Sequence, residues 1–164
     1  MSTDHSFTDR NPDDGSPAVL AYRLPYLLKL AFLRAAGFAG AALAPYRIDL
    51  RELAVLAPLA GPDPLSQQQL SVRLGIDRTT MVTVVDGLEG KGLVAREPHP
   101  ADRRKNIVRL TAAGRAILPP ARRAADRAER EFLAPLSGAD ADRLPELLRA
   151  LIAEPAAAGQ PLPG

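Results

Sequence analysis

The chain has 164 residues, of which 46% are hydrophobic and only 4% aromatic, so its apolar content is mainly Ala, Leu and Val and favours helices over sheets. The absence of cysteine excludes disulfides, thiolate metal sites, cysteine nucleophiles and cysteine-based redox sensing. The net charge of +2 does not by itself indicate a nucleic-acid partner, although residues 73–115 carry nine Lys/Arg against five Asp/Glu.

The ends of the chain predict little structure. Residues 1–17 are rich in Asp, Ser, Pro and Gly, and we expect a disordered arm there and a disordered tail at 155–164. The N-terminus lacks the pattern of a signal peptide. The longest uninterrupted apolar stretch, 35–45, is shorter than the roughly 18 residues that a membrane span needs. The sequence therefore predicts a cytoplasmic protein without a membrane segment.

Residues 18–48 predict a helix, from about Ala18 to Ala44, that is apolar nearly all round. Its only charges are Arg23, Lys29 and Arg34. A helix of this kind is buried on more than one side, and in a chain this small the extra apolar face predicts a subunit interface. A second helix opens at Asp49 with Glu52 three residues later, a spacing typical of a capping box. Its expected apolar face carries Leu50, Leu53 and Leu56.

The next residues predict two short helices joined by a tight turn. Ser66 and Gln69 have the spacing of a capping box, and Gly75 is placed to end the first helix. Asp77 is placed to cap the second helix. The buried face of this second helix is expected to carry Met81, Val84, Val85 and Leu88. This arrangement predicts a helix-turn-helix, although many helix pairs of this plan do not bind DNA.

A short hairpin is predicted after this pair, with strands at 93–97 and 106–110 and a polar loop at 98–105. Thr111 is placed to cap a long helix that reaches about Leu136, and Pro119 and Pro120 are expected to interrupt and kink it. Ser137 and Asp140 start a last helix. Its predicted apolar face carries Leu144, Leu147, Leu148, Leu151 and Ile152.

The central part of the chain resembles the MarR family of bacterial regulators. The residues that carry this resemblance lie between Leu65 and Arg115: Ser66-Gln67, Leu74-Gly75, Asp86 with Leu88-Glu89, Gly92-Leu93-Val94, Asp102-Arg103-Arg104, Leu110-Thr111 and Gly114-Arg115. The resemblance implies a mainly α fold with a small β-hairpin wing. It divides the chain into dimerisation helices at 18–48 and 112–154 and a winged helix-turn-helix DNA-binding domain at 49–111.

The resemblance also implies a homodimer that binds a palindromic site in double-stranded DNA and represses transcription until a small aromatic or phenolic effector binds. By the same resemblance, Arg104 enters the minor groove and Asp102 holds the wing through a salt bridge. The resemblance identifies the second helix of the helix-turn-helix as the recognition helix. This chain departs from many members of the family in having Thr83 and Gly87 on that helix, where a long polar residue is common.

Helix positions and charge identify the candidate DNA contacts. Thr79 and Thr83 lie opposite the buried face of the second helix, where their hydroxyl and methyl groups can meet base edges. Arg78 and Thr80 lie in its first turn, where free N–H groups attract phosphate. The full expected set is Gln67, Gln68, Arg78, Thr79, Thr80, Thr83, Arg103, Arg104 and Lys105. Ser66 is better explained as a helix cap.

Other functions have weaker support. Tyr22, Tyr26 and Tyr46 are candidates for lining an effector cleft, but such aromatics are more often part of a core or an interface. The two histidines lie far apart, so we expect no zinc site, and we expect no cofactor. The chain lacks a nucleophile–base pair and a cofactor loop, so we do not expect an enzyme. The alternative function is a winged helix that binds another protein without specific DNA binding.

Overall fold

The computed structural model describes residues 23–99 and 102–153, with the side chains of His99 and residues 102–105 outside the description. The predicted arm, the tail and Tyr22 lie outside these residues. The elements are α1 (Leu24–Leu43), α2 (Leu50–Leu56), α3 (Gln67–Leu74), α4 (Arg78–Gly90), β1 (Val94–His99), β2 (Asp102–Leu110), α5 (Ala112–Leu133) and α6 (Gly138–Ala153). Short 3-10 turns at Ala44–Tyr46 and Pro58–Ala60 follow α1 and α2.

Side-chain caps start the helices of the central region, as the sequence predicts. Asp49 and Glu52 form a complete capping box on α2, and Ser66 and Gln69 form another on α3. Gly75 ends α3 with φ of +62°, a backbone conformation that favours glycine, and so allows the tight turn into α4. On the expected apolar face of α2, Leu53 and Leu56 are buried, whereas half of the surface of Leu50 stays exposed at the start of the helix.

The predicted face of α4 forms the centre of the hydrophobic core. Its four apolar residues, Met81, Val84, Val85 and Leu88, are buried. They pack with apolar residues of α2, α3, the strands and α5 in one cluster. Burial of each such side chain stabilises the fold by about 1.5–3 kcal/mol, and together these side chains hold α4 against the rest of the domain.

The hairpin is longer than the sequence predicted. The strands pair antiparallel from Val94↔Leu110 to His99↔Asp102, so most of the expected polar loop at 98–105 belongs to the strands. The register shifts between Pro98 and His99, which lets the proline lie within a strand of the hairpin. Leu65, just before α3, adds a single bridge to Val108 and connects the hairpin to the helix-turn-helix.

Thr111 and Gly114 connect the base of the hairpin to α5. The Thr111 hydroxyl donates to the Gly92 carbonyl at 2.7 Å and accepts from the Gly114 N–H at 3.0 Å. The Leu93 carbonyl accepts from the Thr111 N–H at 3.1 Å. A Cβ at position 114 would lie 2.0 Å from the Leu93 carbonyl oxygen, so only glycine allows this approach.

The long helix α5 runs unbroken from Ala112 to Leu133 through both prolines, so the predicted interruption is wrong. Its buried side presents small residues, Ala121, Ala124 and Ala128, and this side contacts α1. The last helix starts as predicted, with the Asp140 N–H donating to the Ser137 hydroxyl at 3.2 Å. On its apolar face, Leu144 and Leu148 are half-buried, whereas Leu147, Leu151 and Ile152 are exposed in the single chain.

The apolar segment of the first helix is longer than the uninterrupted apolar stretch at 35–45. The segment Leu24–Tyr46, of 23 residues, is long and apolar enough to cross a membrane by length and composition alone, because it carries few charges. One such helix is weak evidence for a membrane span. In the single chain, Phe32 and Leu33 are among many exposed apolar side chains of this helix.

The Gly114 contact gives a direct test of the fold. We expect Gly114→Ala to lower the free energy of unfolding by on the order of 2–3 kcal/mol, because the new methyl group forces the backbone at Leu93 to move. Thermal and urea unfolding measure this change. Gly90→Ala is the matched control, since a Cβ there meets nothing within 4 Å. Equal stabilities of the two variants would contradict the close packing at Gly114.

Candidate nucleic-acid interface

The exposed ridge of α4 carries the side chains predicted to contact DNA. Arg78, Thr79 and Thr83 are exposed, whereas Thr80 is half-buried. The Thr83 hydroxyl donates to the Thr79 carbonyl at 3.2 Å, which occupies its proton and leaves its oxygen free to accept. The first half of the ridge therefore presents one guanidinium and two threonine side chains to solvent.

Asp77 holds the first turn of α4. Its carboxylate accepts from the Thr80 N–H at 2.9 Å. Hydrogen bonds from the side chain and then the backbone of Thr80 lower the pKa of Asp77 below 3.8, its ordinary value. The carboxylate thus stays ionised at neutral pH, and its contribution to stability is lost only as the pH falls through this lowered pKa. Thr80 serves this cap, and its contact with DNA stays a prediction.

Gln67 and Gln68 lie at the start of α3, with Gln67 half-buried and Gln68 exposed. His99, the last residue of β1, pairs with Asp102, the first residue of β2, so Arg103, Arg104 and Lys105 lie near the start of β2. The side-chain positions of these three residues and of Asp102 are outside the description. The minor-groove contact of Arg104 and the salt bridge of Asp102 therefore stay predictions.

Arg96, which the sequence analysis did not single out, connects three elements. Its guanidinium forms ion pairs with Asp86 and Glu89 of α4. Its Nε–H donates to the Gln67 side-chain oxygen at 3.3 Å, and its backbone N–H donates to Glu89 Oε1 at 3.1 Å. Partial burial lowers the pKa of Arg96, but the hydrogen bonds with the two carboxylates outweigh it, so the pKa is raised above the ordinary value. Val94 and Arg96 are two positions apart on β1 and so share one face of the strand, and Val94 is buried. This spacing was the signal that could have indicated the inward position of Arg96.

Glu52 connects α2 to the end of α4. Besides completing its capping box, its carboxylate accepts from Lys91 Nζ at 2.6 and 2.7 Å. The Glu52 side chain is 10% exposed and that of Lys91 40% exposed, so this pair is partly shielded from water. No local sequence pattern indicates this contact, because the two residues lie 39 positions apart.

An apolar cavity of about 300 Å³ lies between α1, the start of α2, α5 and α6. Phe32 and Phe132 are its aromatic lining residues, and Glu129 is its one charged lining residue among those the structure describes. Neither Tyr26 nor Tyr46 lines it. Tyr26 lies exposed on α1, and Tyr46 is half-buried against the core of the domain. Within the described ranges, no group of three or more potential metal ligands comes together.

Comparisons with known proteins agree with this architecture. A family model described as the MarR family matches residues 48–105. The chain is 37% identical over 97 residues to a transcriptional regulator of the hcr operon in Thauera aromatica, a match that spans 59% of this chain and 58% of that protein. It is 33% identical over 101 residues to the transcriptional regulator HosA of Escherichia coli O111:H-. This match spans 62% of this chain and 75% of HosA.

Solved structures give the same result. The fold is similar to that of the transcriptional repressor CouR bound to a 23-mer DNA duplex, with a TM-score of 0.76 and 32% identity. This similarity covers 85% of this chain and 99% of that chain. A helix-turn-helix followed by a hairpin and flanked by long helices defines the winged-helix class of transcription regulators. Within that class, the chain belongs to the MarR family, whose matched members are named as regulators rather than enzymes.

The ion pair between Glu52 and Lys91 gives a testable difference in stability. We expect Lys91→Met to lower the free energy of unfolding by about 1–3 kcal/mol, because it leaves the shielded Glu52 carboxylate without its cation. Glu97→Gln is the control, since Glu97 pairs with Arg109 at 3.2 Å with both side chains well exposed. Such an exposed pair contributes less than about 1 kcal/mol. Chemical denaturation of both variants measures the difference, and equal losses would contradict the shielding of Glu52.

Proposed function

We propose that this protein is a homodimeric, cytoplasmic repressor that binds a palindromic operator in double-stranded DNA. The observation that carries the proposal is the exposed ridge of α4, with Arg78, Thr79 and Thr83, beside a hairpin that bears Arg103, Arg104 and Lys105 near its tip. A helix of this size fits the major groove, and a basic wing tip fits the adjacent minor groove. The similarity to a repressor structure that contains DNA supports the same partner.

The exposed apolar surface supports a second copy of the chain as the partner of α1 and α6. Leu27, Leu30 and Phe32 of α1 and Leu151 and Ile152 of α6 are exposed in the single chain. Many exposed large apolar side chains of this kind are unfavourable in water and are typical of an interface. We propose that segments 18–48 and 112–154 form the dimer and that 49–111 binds DNA. A dimer places two recognition helices about one turn of DNA apart, which accounts for a palindromic site.

The proposed DNA contacts are tested by mobility shift with the DNA upstream of the protein's own gene. We expect salt-dependent binding of two protomers per duplex. Arg104→Ala is expected to weaken binding by roughly 1–3 kcal/mol through the loss of one groove contact. Asp102→Ala is expected to weaken it less, through a looser wing.

The matched control for these variants is Arg51→Ala, which removes the same charge from an exposed position on α2, outside both the proposed DNA contacts and the proposed dimer helices. Wild-type affinity of a folded Arg104→Ala protein would contradict the role of the wing. Complete absence of binding by the wild type would favour a winged helix that binds only other proteins.

We further propose that the apolar cavity takes a small aromatic effector that releases the DNA. Its volume of about 300 Å³ matches the small end of ligand sites. Glu129 is the one charged group among its described lining residues, and a carboxylate repels an organic acid. The cavity therefore favours an uncharged phenol. A tenfold loss of DNA affinity requires only about 1.4 kcal/mol of differential binding.

Titration of the protein–DNA complex with neutral phenols, aromatic acids and dilute peroxide tests this proposal. We expect release by one or more phenols and a weaker response in Ala125→Leu, whose larger side chain occupies the cavity. Ala116→Leu, on the exposed face of α5, should respond like the wild type. Rapid, reversible release by peroxide alone would contradict the proposal, since the chain has no cysteine for that chemistry.

A further inference from the structure

The exposed ridge of α4 carries negative charge as well as DNA-binding groups. Thr79, Thr83, Asp86 and Gly90 recur at the spacing of one helix face, opposite the buried Met81, Val85 and Leu88. Asp86 therefore lies one turn after Thr83 on the same ridge, and Glu89 lies beside it; both side chains are well exposed. Two carboxylates on a surface that faces phosphates would repel the DNA.

Arg96 compensates this charge from the neighbouring strand. One guanidinium nitrogen pairs with Asp86 and another with Glu89, so a single side chain contacts both carboxylates. The Arg96 side chain is 25% exposed, which leaves it little surface for a contact of its own with DNA. Ion pairs with such exposed carboxylates contribute little to stability. The arrangement thus has a small effect on folding but changes the charge of the ridge directly.

The same guanidinium orients Gln67. Its Nε–H donates to the side-chain oxygen of Gln67, at the N-terminus of α3. Because the oxygen of this amide is occupied, its NH₂ group is the part left to donate to another partner. A donor at a helix N-terminus suits a backbone phosphate. One arginine thus neutralises the acidic part of the ridge and orients a phosphate donor beside it.

We propose that Arg96 is a positioning residue for DNA binding: it masks the charges of Asp86 and Glu89 on the recognition helix and turns the Gln67 amide donor toward the phosphate backbone. This role rests on the proposed function as a DNA-binding regulator. In this proposal Arg96 neutralises carboxylates of its own protein, whereas Arg103 and Arg104 of β2 are proposed to contact DNA directly.

Fluorescence anisotropy with a labelled duplex of the upstream DNA, measured at several salt concentrations, tests the proposal. We expect Arg96→Met to weaken binding by about tenfold at low salt. The loss should shrink as salt rises, because exposed charges are screened over about 8 Å at physiological ionic strength. The triple variant Asp86→Asn/Glu89→Gln/Arg96→Met removes the exposed carboxylates together with their cation. We expect it to recover most of the lost affinity.

Arg51→Met, at an exposed position on α2, controls for the loss of one positive charge elsewhere, and thermal unfolding confirms that each variant is folded. Arg96→Lys should retain part of the affinity, since an ammonium keeps the charge but cannot contact all the partners of the planar guanidinium. Wild-type affinity of Arg96→Met would overturn the proposal. A triple variant that binds no better than Arg96→Met would also overturn it, because Arg96 would then contact DNA itself or only hold the wing. Failure of the wild type itself to bind would instead overturn the proposed function, and the role of Arg96 with it.

Discussion

The contact between Gly114 and the Leu93 carbonyl joins the base of the hairpin to the start of the long helix α5. It brings the start of α5 against the residue that precedes β1, and the Thr111 hydroxyl bonds both sides of the contact. The base of the hairpin and the start of α5 are therefore held together at one point. The hairpin carries the proposed DNA contacts of the wing, whereas α5 contacts α1 and lines the cavity. A side chain at position 114 would force the two elements apart.

The polar contacts of the winged helix-turn-helix differ in what they contribute. Glu52 and Lys91 are partly shielded from water, so their pairing contributes mainly to the stability of α4 on α2. Arg96 pairs with carboxylates that stay well exposed, so its contribution to stability is small, and its effect falls on the charge of the surface. Neighbouring ion pairs in one small domain thus serve different purposes because their exposure differs.

The proposed dimer accounts for the apolar surface of α1, which folding of the single chain leaves exposed. Its exposed leucines and Phe32 would be unfavourable in a monomer, yet its other side packs on the small residues of α5. The cavity lies on this packed side, between the helices proposed to form the dimer and the start of α2. An occupant there would contact Leu50, two residues before Glu52, and Glu52 in turn contacts the end of the recognition helix.

Local sequence patterns are enough to predict much of the local structure of this protein. They indicate the turn at Gly75, the buried face of α4 and the helix caps at Asp49, Ser66, Asp77, Thr111 and Ser137. Each depends on residues a few positions apart, whose chemistry acts through local hydrogen bonds and helical periodicity. Packing between elements sets the contacts of Arg96 and Lys91 and the need for glycine at position 114. The exposure of Leu50 and the continuity of α5 through Pro119 and Pro120 are likewise seen only in the folded chain. These depend on partners distant in sequence, and packing against other elements can outweigh a local preference such as that of proline against helix.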